Sequence, residues 1–217
     1  MLIDFHTHRP LPAGAYGFDS GGLHPWQCAG DTEARLTRLD AAATRGELQL
    51  IGECGLDRCC TTPWSTQTYA FEQQLLLAER HALPVVIHCV RAYNEVLALR
   101  LRGVVYGKRR WSQPWILHGF ASSSTMAQQL QRAGLLLSFG HALLSTRGAK
   151  VREALRSMGQ GAFLLETDEA ECTIDEVYAV AADVMGVDVA QVEARVEATC
   201  RQLGLQPRPS ALPCQAF

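Results

Sequence analysis

The sequence has 217 residues with a formal net charge of −2, of which 47% are hydrophobic and 19% charged. This composition is typical of an ordered globular protein and excludes a chain that attracts nucleic acid through an overall basic field. No apolar run is long enough to span a bilayer, no secretory signal precedes the first strand, and the eight scattered cysteines show no CxxC spacing, so we expect reduced thiols and a cytoplasmic protein.

The first predicted element is a short apolar strand over residues 2–8 that carries two histidines, His6 and His8. Side chains alternate along a strand, so residues at positions i and i+2 point to the same face. Both imidazoles can then reach one ion, and neutral imidazole is the commonest metal ligand in proteins. A single histidine pair is more often a surface or capping feature, so its meaning depends on the rest of the chain.

Beyond this strand the chain alternates predicted strands with predicted helices. The strands fall at residues 17–23, 48–53, 84–88, 115–118, 135–139 and 162–168, and the helices at 31–45, 65–81, 93–101, 122–134, 146–158, 173–185 and 188–203. The strands are continuous apolar runs, which indicates a parallel sheet covered on both faces. We therefore expect an α/β fold in one domain over residues 1–206, followed by a loosely held Pro-rich tail over residues 207–217.

Ligand-type residues stand at the carboxyl ends of five predicted strands: His6 and His8, Glu53, His88, His118 and Asp168. A closed parallel barrel gathers its strand ends at one face, whereas a doubly wound sheet binds ligands only near a switch point. Six ligands exceed what one ion needs, so the pattern favours two ions roughly 3.5–4 Å apart that share a carboxylate, with Glu53 as the expected bridge. Taken singly, each residue has an ordinary alternative, such as a hydrogen-bonded core histidine, an ion-paired glutamate or a capping aspartate.

Six short motifs stand in a fixed order between residues 3 and 170. They are Asp4-Phe5-His6-Thr7-His8, Gly22-Leu23-His24-Pro25, Ile51-Gly52-Glu53-Cys54-Gly55-Leu56-Asp57, Leu83-Pro84-Val85-Val86-Ile87-His88, Leu117-His118-Gly119-Phe120 and Glu166-Thr167-Asp168. In this order the chain resembles the TatD family of amidohydrolase-like, metal-dependent hydrolases. The resemblance implies a TIM-type (β/α) barrel, hydrolysis of phosphodiester bonds that is typically directed at DNA, and metal ligation by the six residues named above.

Three departures from the family pattern concern the front of the barrel and the substrate pocket. Only fifteen residues (9–23) lie between the first strand and the His-Pro motif, where the family has a whole helix–strand unit. We therefore expect about seven parallel strands, in a closed or an open barrel. The family's His-x-Arg becomes His88-Cys89-Val90-Arg91, which displaces the phosphate-facing arginine by one position, and its Thr-Asp-x-Pro becomes Thr167-Asp168-Glu169-Ala170.

The expected mechanism is attack on phosphorus by a water molecule that two divalent ions activate, since bound cations lower the pKa of water toward neutrality. We expect Asp168 to orient that water and accept its proton, in the role of a general base, and Glu53 to bridge the ions. His24 and Arg91 are the candidate phosphate contacts. Trp26 follows the His-Pro motif, where an aromatic ring either stacks on a base or packs in a lid.

The mixture of imidazole and carboxylate ligands suits Mg, Mn or Zn as the divalent ions. The expected partners are DNA or a small phosphoester substrate, with no membrane and no obligate protein partner. Two other functions stay open, namely hydrolysis of a small ester, lactone or amide on the same barrel and a catalytically silent metal-binding module. The first is disfavoured because relatives with that chemistry often use a carboxylated lysine, and neither Lys108 nor Lys150 is at a strand end.

Overall fold

A computed structural model describes residues 1–102, 104–105, 108–109 and 111–217. Its strands are β1 (Leu2–Ile3), β2 (Ala15–Tyr16), β3 (Ser20–Gly22), β4 (Leu50–Asp57), β5 (Val85–Val90), β6 (Val104–Val105), β7 (Lys108–Arg109), β8 (Trp115–Leu117), β9 (Leu135–Phe139), β10 (Leu164–Leu165) and β11 (Gln215–Ala216). Its helices are α1 (Thr32–Thr44), α2 (Trp64–His81), α3 (Tyr93–Arg102), α4 (Ser124–Arg132), α5 (Ala149–Ser157), α6 (Ile174–Met185) and α7 (Val189–Gln202), with 3₁₀ turns at Pro25–Gln27 and His141–Leu143.

The described chain forms two compact units, each assembled from separate stretches of sequence. The first unit comprises Met1–Phe18 and Leu117–Pro213, and the second comprises Asp19–Ile116 and Cys214–Phe217. The chain therefore passes from the second unit back to the first within β8. None of the helices in the described part of the chain has the length and apolar character needed to cross a membrane.

In the first unit, the residues after β1 lie beside the residues after β10. The amide of Phe5 donates to the carbonyl of Leu165 at 2.9 Å, and the amide of Asp168 donates to the carbonyl of His6 at 3.0 Å. Parallel pairing of β1 with β2 and of β9 with β10 completes the strands of this unit. These backbone hydrogen bonds join the first and last motifs and fix the histidine pair relative to Asp168.

Helix α6 holds β1 through one buried side chain of the same unit. The hydroxyl of Tyr178 accepts a hydrogen bond from the amide of Ile3 at 3.2 Å and donates one to its carbonyl at 3.1 Å. Capping boxes are present at Thr173 before α6 and at Asp188 before α7. Each cap satisfies backbone donors that the first helical turn leaves unpaired, so these two helices begin where the sequence predicts.

In the second unit, the strands follow the order β8-β5-β4-β3-β11. The pairs β3–β4, β4–β5 and β3–β11 are parallel, and β4 is buried along its whole length beneath α2. The side chain of Gln74 on α2 accepts from the amide of Leu23 at 2.7 Å and donates to its carbonyl at 3.1 Å. This buried amide replaces strand pairing just beyond β3 and fixes the residue that precedes His24.

The predicted α/β class with about seven parallel strands is confirmed. Among the described residues, the sheet contains five strands of the second unit and, in the first, β9 and β10. The strands of this sheet differ from those that the sequence predicted, because β1 and β2 form a pair of their own and β11 joins the sheet beside β3. The Pro-rich composition predicted a loosely held segment over residues 207–217, whereas the backbone of Gln215–Ala216 is paired with β3 in the structure. Composition does not encode that pairing.

Candidate functional site

The first unit brings His6 and His8 of the predicted ligand set beside Asp168. The bridge between Thr7 and Asp168 places both histidines of the first motif beside its carboxylate. Oδ1 of Asp168 lies 4.0 Å from Nε2 of His6 and 3.7 Å from Nε2 of His8. These separations are longer than direct hydrogen bonds and leave room for an ion that takes one donor atom from each side chain. Asp168 itself adopts a φ of 56°, in the left-handed region that aspartate tolerates better than most residues.

His118 joins this cluster from the end of β8, and a buried carboxylate fixes its orientation. The rings of His6 and His118 have their centroids 4.6 Å apart, and Nδ1 of His118 lies 3.3 Å from Oε1 of Glu166. A carboxylate beside Nδ1 favours the proton on that nitrogen, which is the tautomer in which histidine binds a metal through Nε2. Glu166 is completely buried; burial opposes its ionisation, but the hydrogen bond and charge of His118 outweigh it and lower the pKa of the carboxyl below its usual value.

Asp4 supports the same cluster from beneath. Its carboxylate accepts hydrogen bonds from the amide of Thr167 at 2.9 Å and from the hydroxyl of Thr167 at 2.6 Å. Burial raises the pKa of Asp4 to about 7, although the bonds from Thr167 oppose the rise. Because Thr167 directly precedes Asp168, and Asp4 is two residues from His6, this contact fixes the spacing of the two motifs.

The second unit contains a cluster of His24, Glu53 and His88. Oε1 of Glu53 lies 2.5 Å from Nδ1 of His88 and 3.3 Å from Nε2 of His24. One ligand atom from each of the three residues can be chosen so that all lie within 4.8 Å of one another. Glu53 is 5% exposed. A buried carboxylate beside two imidazoles is a donor set that suits a borderline divalent cation such as Zn or Mn.

The two histidines of this cluster differ in the nitrogen that they offer. Nδ1 of His24 accepts a hydrogen bond from the amide of Trp26 at 3.2 Å, which places the proton of a neutral ring on Nε2. Nε2 of His24 therefore acts as a donor toward an anionic oxygen and is poorly suited to ligate a metal. This geometry favours the predicted role of His24 as a phosphate contact over a role as a ligand.

His88 has the opposite arrangement because Asp57 lies beside its outer nitrogen. Oδ2 of Asp57 is 3.3 Å from Nε2 of His88 and accepts a hydrogen bond from the indole of Trp26 at 2.6 Å, while Oδ1 accepts from the amide of Cys59 at 2.6 Å. Burial raises the pKa of Asp57, but these donors prevail and lower it below its usual value. His88 thus lies between two carboxylates, with Nε2 beside Asp57 and Nδ1 2.5 Å from Glu53. Asp57 also caps the loop after β4 through its bond from the amide of Cys59.

Replacing Asp57 with asparagine is expected to weaken Mn²⁺ binding about tenfold, because removal of a carboxylate behind a ligating histidine typically costs 10- to 100-fold in metal affinity. Asp40 supplies a matched control, since its carboxylate lies 2.6 Å from Nε2 of His81 on the surface of the same unit. Isothermal titration of the metal-free variants with Mn²⁺ measures the effect. Equal loss of affinity in Asp57→Asn and Asp40→Asn would contradict the role given to Asp57.

The structure thus brings the predicted site residues together in two groups. The first unit holds His6, His8, His118 and Asp168, and the second holds Glu53, His88 and His24. The expectation that two ions share the carboxylate of Glu53 involves residues of both groups and stays a prediction. Arg91 is exposed immediately after β5 at a φ of 52°, and its phosphate contact also stays a prediction. Sequence reasoning did not assign roles to Asp4 and Glu166, although both stand within the quoted motifs as acidic residues in apolar strands.

Comparisons with known proteins show which family this chain is similar to. The family described as TatD related DNase matches residues 14–203. A 3'-5' ssDNA/RNA exonuclease TatD of Cronobacter sakazakii is 29% identical over 87% of this chain and 77% of its own length. An uncharacterized metal-dependent hydrolase, YjjV of Escherichia coli K12, is 27% identical over 71% of this chain and 58% of its own length.

The chain is shorter than these relatives. Several further exonucleases of the same name are matched over only 56 to 59% of their length. The crystal structure of the TatD homologue YjjV from Escherichia coli K12 superimposes with a TM-score of 0.73 at 21% identity, covering 87% of this chain and 76% of that one. Likeness at this identity shows a shared fold, which is the fold that the resemblance of the six motifs implied.

Proposed function

The chain belongs to the TatD related DNase family, and from this premise we propose that it is a divalent-metal-dependent phosphodiesterase that removes nucleotides from single-stranded DNA or RNA. One observation carries the proposal. In each unit a histidine of the cluster has a second carboxylate, that of Asp57 or Glu166, 3.3 Å from one of its ring nitrogens. Metal-binding histidines almost always have such a partner on the nitrogen that does not bind the metal.

The proposal assigns one divalent ion to each group of residues. His6, His8, His118 and Asp168 would hold the first, and Glu53 with His88 the second. When bound, such ions polarise a phosphoryl oxygen and lower the pKa of water toward neutrality. The mixed nitrogen and oxygen donors support Mn, Zn or Mg.

The remaining roles fall to side chains of this chain. Asp168 accepts the proton of the attacking water, because its half-buried carboxylate lies at the proposed ion site, 4.0 Å from Nε2 of His6 and 3.7 Å from Nε2 of His8. His24 donates from Nε2 to a non-bridging phosphate oxygen, as its hydrogen bond from Trp26 requires. Arg91, exposed at the end of β5, contacts a phosphate farther along the substrate.

A nucleic-acid substrate is supported by two features. The first is the similarity to the Cronobacter relative, a 3'-5' ssDNA/RNA exonuclease. The second is Trp26, whose side chain is 63% exposed although its indole nitrogen is fixed by Asp57. A rigid, exposed indole beside a phosphate contact is the kind of platform on which an unpaired base stacks. We also propose that the protein acts in the cytoplasm, without an obligate protein partner.

Removal of metal with EDTA is expected to lower hydrolysis of a 5'-labelled single-stranded oligonucleotide by about 100-fold or more, because the ions supply several kcal/mol of transition-state stabilisation. Dialysis followed by Mn²⁺ should restore activity, and gel electrophoresis should show products that shorten from the 3' end. A small phosphodiester, bis(p-nitrophenyl) phosphate, serves as the comparison substrate. Metal-dependent hydrolysis of this ester without cleavage of the oligonucleotide would show a phosphoesterase that is not a nuclease. Metal-independent cleavage of either substrate would contradict the proposal.

A further inference from the structure

The last four residues of the sequence cover the edge of β3 within the second unit. Gln215 lies opposite Gly21 and Ala216 opposite Gly22 in parallel register, and the amide of Phe217 donates to the carbonyl of Gly22 at 3.1 Å. An exposed strand edge presents unpaired amides and carbonyls that folded proteins usually cover. Here the connection from β1 to β3 contains only β2 and loop residues, and the cover comes from the opposite end of the sequence.

This segment is seated by contacts that are specific to its side chains. The guanidinium of Arg35 on α1 donates to the carbonyl of Phe217. The ring of Phe217 lies directly over Gly21, where an added Cβ would come within 2.4 Å of the ring. Glycine at this position therefore leaves the space that the phenyl ring fills, and the segment has a defined position.

Cys214 connects the segment to Glu53. Its sulfur accepts a hydrogen bond from the amide of Glu53 at 3.3 Å, and its thiol donates to the carbonyl of Gly52 at 3.4 Å. The register between β4 and β5 shifts between Ile51 and Cys54, so the Gly52–Glu53 peptide lies in the irregular part of this ladder. Buried backbone groups require partners, and the thiol serves both groups of this peptide.

From these contacts we infer that Cys214–Phe217 is a positioning segment for the metal site, in which Cys214 sets the backbone from which the Glu53 carboxylate reaches His88. Cys214 acts through Glu53. Loss of the two thiol hydrogen bonds releases the peptide at the bulge, and the carboxylate then no longer meets Nδ1 of His88 at its present 2.5 Å. The inference rests on the proposed metal dependence.

The test compares Cys214→Ala with Cys214→Ser in the full chain, with Cys172→Ala as a control at a half-buried thiol of the first unit. Titration of metal-free protein with Mn²⁺ should give an affinity about tenfold weaker for the alanine variant, in the range typical of residues that support a ligand. Serine retains a donor and an acceptor and should restore most of the affinity. Alanine leaves two backbone groups without the thiol and should also lower the melting temperature of the metal-free protein, and serine should restore both quantities.

A second variant tests the seat of the segment without changing Cys214. Gly21→Ala displaces the ring of Phe217 and should weaken Mn²⁺ binding in the same direction as Cys214→Ala. The inference is overturned if Cys214→Ala binds Mn²⁺ as wild type does, or if serine restores the melting temperature of the metal-free protein without restoring the affinity that alanine loses. Absence of Mn²⁺ binding in the wild type would instead reject the proposed metal dependence, and with it the inference.

Discussion

Replacing Glu53 with glutamine is expected to lower kcat/KM for oligonucleotide hydrolysis by about 1,000-fold, equivalent to roughly 4 kcal/mol of transition-state stabilisation. Glutamine keeps the size of the side chain but removes its negative charge and turns an amide donor or a weaker acceptor toward His88 and His24. At a site that is 5% exposed, the imidazoles then lack the anionic oxygen that helps to hold a cation. Steady-state kinetics give kcat/KM, and metal analysis gives the Mn²⁺ content of the purified variant. Both quantities should fall together.

The control for this prediction is Glu47→Gln in the same unit. Glu47 is exposed and pairs with the guanidinium of Arg45, and surface pairs of this kind contribute little to stability. Its variant should keep full metal content and activity. Retention of Mn²⁺ and of activity in Glu53→Gln would remove the second-unit cluster from the proposed site.

The second large effect is expected for Asp168→Asn, where kcat should fall by a factor of about 100 to 10,000, the usual contribution of a positioned general base. Asparagine is the appropriate replacement because Asp168 has a φ of 56° and asparagine, like aspartate, tolerates the left-handed region. The backbone contacts to His6 and His8 therefore stay in place. KM for the oligonucleotide should change little, since Asp168 acts on water and the substrate contacts lie elsewhere.

Asp175→Asn provides the matched control in the same unit, because Asp175 is exposed in the first turn of α6. Single-turnover kinetics separate the chemical step from product release in both variants. A variant at Asp168 that loses substrate affinity while its single-turnover rate stays at the wild-type value would assign the residue to binding and would reject its role as the base.

The sequence predicted most of the elements and the residue types of the site because both depend on local patterns. Continuous apolar runs predicted β4 and β5. Glu53, His88 and His118 were identified because each is a ligand-type residue within or just after such a run. The capping box at Thr173 was equally local, with its glutamate three residues later. Such patterns are visible without knowing what packs against them.

The features that the sequence did not predict depend on contacts between distant residues. Strands β2 and β11 have two residues each, too few for any periodicity to appear. Glu166 and His118 are 48 positions apart, and the thiol of Cys214 meets Gly52 across 162 positions. Only the folded chain shows that this carboxylate contacts His118 and that this thiol contacts the Gly52–Glu53 peptide.

The discontinuous first unit has a consequence for biosynthesis. Thr7, between the two histidines of the first motif, and Asp168 are 161 positions apart, an interval that a ribosome takes about 8 to 30 s to translate. During that time the nascent chain exposes an imidazole pair without the carboxylate that faces it in the finished protein, and Tyr178, which ties down Ile3, has not yet been made. Under the proposed metal dependence, the cation site at this pair is therefore complete only after the second of the two stretches of the unit has been translated.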